Sequence, residues 1–94
     1  MDIARSDIVK STAGRDKGKL FFVLDVEGDF LLLADGKTRR LESPKRKKRK
    51  HVRFETRPAC RTAEKIRGGE KLANSELRRT LAQLGGDGNP DQEG

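Results

Sequence analysis

Tryptophan and tyrosine are missing from this chain of 94 residues, and four phenylalanines supply all of its aromatic rings. Side chains that stack on nucleobases are therefore scarce, and the phenylalanines are expected in the core rather than on a stacking platform. Cysteine occurs once, at Cys60, which excludes an intramolecular disulfide framework and fits a reducing compartment, so a cytoplasmic location is expected. Cys60 and the single histidine, His51, cannot make a four-ligand zinc site between them. No apolar run approaches the roughly 18 residues of a membrane span. The opening Met1-Asp2-Ile3-Ala4-Arg5 lacks the basic stretch and long apolar segment of a secretory signal. Apolar residues and glycine together make 40 of 94 residues, just below the roughly 45–50% of ordinary globular chains. The length suits one small domain.

Positive charge is abundant, and it is concentrated. The net charge is +7. Residues 1–43 carry eight basic and eight acidic groups, and residues 55–94 carry seven of each. The whole excess lies in residues 44–54, Pro44-Lys45-Arg46-Lys47-Lys48-Arg49-Lys50-His51-Val52-Arg53-Phe54, with seven basic residues and no acidic one. Such a run repels itself unless an anion neutralises it, which favours a polyanionic partner over a merely solvated loop.

The first half reads as short strands punctuated by turns. Ile8–Thr12 is β-branched, and Ala13–Gly18 supplies turn residues. Leu20–Val26 is continuously apolar at first and then alternates, which predicts a strand buried on both faces. Gly28-Asp29 predicts a two-residue hairpin loop before Phe30–Ala34, and Asp35-Gly36 a second hairpin leading into extended Lys37–Leu41. Pro44 suits a loop or an edge. His51–Phe54 alternates and predicts a closing strand with Val52 and Phe54 inward. Strands at this spacing predict a small antiparallel barrel or sandwich.

The second half predicts helix. Thr62–Ile66 forms one or two turns ended by Gly68-Gly69. Asn74 or Ser75 caps a second helix that Gly85 terminates, with Glu76 at its positive end. Leu77, Leu81 and Leu84 share one face of this helix. So short a helix needs a dock, the barrel first and a partner protein second. Residues 87–94 are polar and expected to be disordered.

No catalytic constellation emerges. Asp16, Asp25, Asp29 and Asp35 sit at turns, where aspartate has a backbone role, and no glycine pattern forms a phosphate-binding loop. No enzyme activity, metal or cofactor is expected. Lysine and arginine neutralise phosphates and release counterions. Arg15, Lys17 and Lys19 in the first turn, Lys37, Arg39 and Arg40 after Asp35-Gly36, and Lys45, Arg46, Lys47, Lys48, Arg49, Lys50 and His51 together make a candidate basic rim. Without a stacking platform, recognition is expected to favour backbone and folded shape. The alternative is a protein-interaction adaptor gripping its partner through Leu77, Leu81 and Leu84. The basic run also admits DNA or an anionic membrane surface, although no long basic amphipathic helix supports the latter.

Gly14-Arg15-Asp16-Lys17-Gly18-Lys19-Leu20-Phe21-Phe22-Val23-Leu24 resembles a KOW motif. With Ala34–Arg40, Pro44–His51 and the helix from Asn74 to Leu81, the chain over residues 5–84 resembles small bacterial KOW-domain RNA-binding proteins related to ribosomal protein L14e. The resemblance implies an SH3-like β-barrel over residues 1–55, a helical extension over 56–86, and binding to RNA, most often ribosomal. It makes Gly18 the turn glycine and Arg15, Lys17 and Lys19 loop contacts. KOW domains also contact proteins, so the fold alone does not fix the partner.

Overall fold

The computed structural model describes residues 2–84. The expected tail over 87–94, and Gly85 as a helix stop, lie outside the described residues. Five strands and two helices follow in order: β1 (Ile8–Ser11), β2 (Leu20–Glu27), β3 (Phe30–Ala34), β4 (Lys45–Lys48), β5 (Val52–Thr56), α1 (Arg61–Gly68) and α2 (Asn74–Gln83). A single 3-10 turn, Arg49–His51, joins β4 to β5. All pairings are antiparallel, in the order β4-β3-β2-β1-β5.

The sheet is open. The expectation of a closed barrel is corrected to this extent: β5 pairs with β1 and β4 with β3, but no ladder joins β4 to β5. The short 3-10 turn nevertheless brings the two outer strands together at one corner, so the sheet must curl. A bulge in β2 between Val23 and Asp25 adds bend and twist where the apolar run changes to alternation.

The continuous apolar run of β2 is buried on both faces, as its pattern predicts. Inside the curl, Phe21 and Val23 join Ile3, Val9, Leu31 and Leu33, with Val52 and Phe54 packed against them. On the outer face, Phe22 joins Ile8 and Ala34 beneath Ala63 and Ile66 of α1 and Leu77 and Leu81 of α2. Each of the buried Val, Leu, Ile and Phe side chains contributes roughly 1.5–3 kcal/mol when withdrawn from water. Leu77 and Leu81 are thus consumed by the protein's own core, and only Leu84, 47% exposed, faces solvent. The three-leucine face expected for an adaptor is not free to grip a partner.

Three local expectations are corrected. Asp35-Gly36 does not form a two-residue hairpin, and Lys37–Leu41 is not a strand. The Asp35 carboxylate instead accepts Lys37 N, Arg39 N and the Thr38 hydroxyl, an alternative to ladder bonding that ties the segment into a compact loop. The basic run, expected to bind as a loop on the barrel, is not one, because Lys45–Lys48 is an outer strand. Lysines are a common device for protecting such an edge from unwanted pairing. Finally, Ala73 stands at the N-cap of α2 rather than Asn74 or Ser75. Glu76 accepts the Ala73 N–H, while Asn74 accepts Leu41 N and donates to Glu42, pinning the 35–43 loop to the helix.

Candidate nucleic-acid interface

Strand periodicity divides the basic run. In β4, Lys45 and Lys47 lie opposite Leu33 and Leu31, whereas Arg46 and Lys48 lie opposite Leu32 and Phe30. Successive side chains point to opposite faces, so Lys45 and Lys47 share the inner face with Leu31 and Leu33.

Lys47 follows that face into the protein. Its Nζ lies 3.0 Å from Asp16 Oδ1 and donates to the Ala13 carbonyl. The Ser11 hydroxyl donates to the same Asp16 oxygen. Burial works to raise the Asp16 carboxyl, but the hydrogen bonds from Lys47 and Ser11, with the charge of Lys47, hold it below its ordinary value of 3.8. Lys47 is thereby corrected from a ligand contact to a structural ion pair. Asp16 is more than a turn residue, since it anchors the basic first turn to β4.

That anchor organises a groove. The turn after β1, the loop after β3 and the start of β4 converge on a depression of ≈ 340 Å³ lined by Arg15, Lys19, Thr38, Arg39, Lys45 and Asp16. A second depression of ≈ 310 Å³ shares Lys19 and Thr38 and extends past Lys37 to Arg78 on α2. Arg78 is a wall residue that the run-based reading missed. Its guanidinium donates to the Gly36 carbonyl, a contact between segments 42 positions apart with no local sequence signal. Gly36 permits the close approach of α2: a Cβ there would collide with the Asn74 carbonyl oxygen, and its φ is +78°. Gly18, the expected turn glycine, has φ +89°, a region L-residues seldom adopt.

The acidic groups on the groove walls are already engaged, Asp16 by Lys47 and Asp35 by its own loop. Arg15, Lys19, Lys37, Arg39, Lys45 and Arg78 outnumber these carboxylates along the two depressions, and a concave arrangement of predominantly one sign concentrates counter-ions.

The remaining predicted contacts lie elsewhere. Lys17 is exposed in the first turn but does not line the groove. Arg40 is paired at 3.5 Å with Glu42. Arg46 stacks 3.9 Å from the Phe30 ring centroid and pairs with Glu27 at 3.4 Å. Lys48, Arg49 and Lys50 line a different depression with Phe30 and Asp29. His51 is half-buried in the 3-10 turn, where its carbonyl accepts Thr12 N. The expectation that the phenylalanines belong to the core is corrected for Phe30, which is only partly buried and joins neither apolar cluster, whereas Phe54 packs on the inner one.

No helix among the described residues is long and apolar enough to cross a membrane. No protein-family model matches the chain, and no curated protein matches it.

Proposed function

We propose that the protein binds structured RNA, with ribosomal RNA in the cytoplasm as its target, by holding phosphates in the groove between the first turn, the 35–43 loop and β4. The observation that carries this reading is the convergence of Arg15, Lys19, Arg39 and Lys45 on one concavity whose one lining carboxylate, Asp16, is paired with buried Lys47. Cations so arranged suit phosphate oxygens, which set position and register rather than base identity. The KOW resemblance and an SH3-like fold belong to the same proposal. They are supported by a sheet that curls over an inner apolar cluster and by the short 3-10 turn leading into the last strand. No reaction or cofactor forms part of the proposal.

The test is a titration of labelled ribosomal RNA fragments in competition with unlabelled RNA and with DNA of matching sequence. Preferential displacement by RNA supports the proposal, and equal displacement by DNA rejects its RNA component.

A further inference from the structure

A further depression, remote in sequence from the groove's first turn, has a different chemistry. It measures ≈ 530 Å³ and is lined by Asp29, Phe30, Lys48, Arg49 and Lys50, within the range of small-ligand clefts. Its floor is built from two elements locked together. The Arg49 N–H donates to the Asp29 carbonyl at 2.7 Å, and the Arg49 guanidinium donates to the Gly28 carbonyl at 3.4 Å. The 3-10 turn is thereby fixed to the tip of the β2–β3 hairpin. Phe30 lies opposite Lys48 in the ladder, and its ring is backed by Arg46, which is itself held by Glu27 and does not line the depression. One aromatic ring, one exposed carboxylate and three cations thus meet in one small recess.

We infer that this recess takes an unpaired guanine nucleotide of the bound RNA, with the base against Phe30 and its phosphates beside Lys48 and Lys50. Each component has one suitable counterpart. An aromatic ring offers a stacking surface to a base that has left its helix. Ionised Asp29 presents two acceptor oxygens and no donor, which matches the adjacent N1–H and N2–H groups of guanine. Uracil offers a single imide N–H on that edge, and cytosine and adenine each place an acceptor beside their amino group, so a carboxylate repels part of those edges. The cations neutralise the phosphates that a carboxylate alone would reject. The inference rests on the RNA-binding reading, but it uses residues outside the phosphate groove.

The test uses the full chain and a labelled RNA hairpin with a short single-stranded uridine tail, compared with the same hairpin carrying one guanine in that tail. The guanine-bearing hairpin is expected to bind about fivefold more tightly or better, the scale of one additional hydrogen bond to a carboxylate. Phe30→Leu keeps an apolar side chain in β3 and is expected to weaken binding of both hairpins, because any base stacks on the ring. Asp29→Asn suits the turn and keeps the fold; it is expected to erase the preference for guanine whether or not Phe30→Leu folds. Equal wild-type affinity for the two hairpins overturns the inference while leaving the groove intact, as does an unchanged preference in Asp29→Asn. Failure of the wild type to bind any hairpin overturns both readings.

Discussion

Lys47 and Lys48 are consecutive and chemically identical, yet the first is buried against Asp16 while the second stands exposed near Phe30. The difference arises from the alternation of a β-strand, which sends one lysine into the curl and its neighbour outward. A dense cationic run therefore does not translate residue by residue into ligand contacts. If all seven positive charges met single-stranded RNA, the log–log salt slope would be about −5. With Lys47 withdrawn into an ion pair and Arg46 engaged by Glu27 and Phe30, the run must contribute less, and part of the groove must come from distant turns.

The contrast is broken most directly by removing each lysine in turn. Lys47→Ala leaves Asp16 buried without its counter-charge and is expected to cost about 3 kcal/mol, towards the lower end for a broken buried pair. Lys48→Ala, on the surface, should change stability by no more than about 0.5 kcal/mol. Urea unfolding measures both, and equal midpoints would remove the distinction between the two faces.

The leucines of α2 offer a second version of the same comparison. Leu77→Ala empties a site in the outer-face core and is expected to cost about 2–3 kcal/mol. Leu84→Ala should fall within about 0.5 kcal/mol of the wild type. A Leu77→Ala protein as stable as the wild type would mean that the helix does not dock as described.

A smaller effect sharpens the role of Asp16. Its folded carboxyl is held below the ordinary value of 3.8 by Lys47 and Ser11 despite burial, so its contribution to stability is present above 3.8 and is lost as pH falls through the lowered folded value. Urea midpoints followed from about pH 5 to about pH 2 should decline more steeply in the wild type than in an Asp16→Asn, Lys47→Gln double variant. Identical slopes would remove Asp16 as an acid-sensitive anchor.

Apolar order made much of the sheet legible. Phe21, Phe22 and Val23 in succession required a strand buried on both faces, and Gly28-Asp29 marked the first hairpin. The stop at Gly68-Gly69 and the dock of Leu77 and Leu81 were readable for the same reason, because local spacing carries them. What escaped was non-local or concerned competing turn chemistry. Asp35-Gly36 looks like a hairpin until the Asp35 carboxylate is seen to collect Lys37, Thr38 and Arg39. The Asp16–Lys47 pair spans 31 positions, and only the register of β4 against β3 reveals which lysine turns inward. Arg78 joins the groove through tertiary docking alone, and no charge run announces it. The candidate site was therefore visible as an excess of charge, while its geometry depended on pairings that composition does not encode.

The decisive measurement is the salt dependence of RNA binding by the wild type and by a variant with Arg15, Lys19, Arg39 and Lys45 changed to Ser. Four lost phosphate contacts should flatten the log–log slope by roughly 3, at about 0.7–0.9 per contact, with folding preserved by circular dichroism. An unchanged slope in the folded variant would contradict the claim that this groove holds the phosphates.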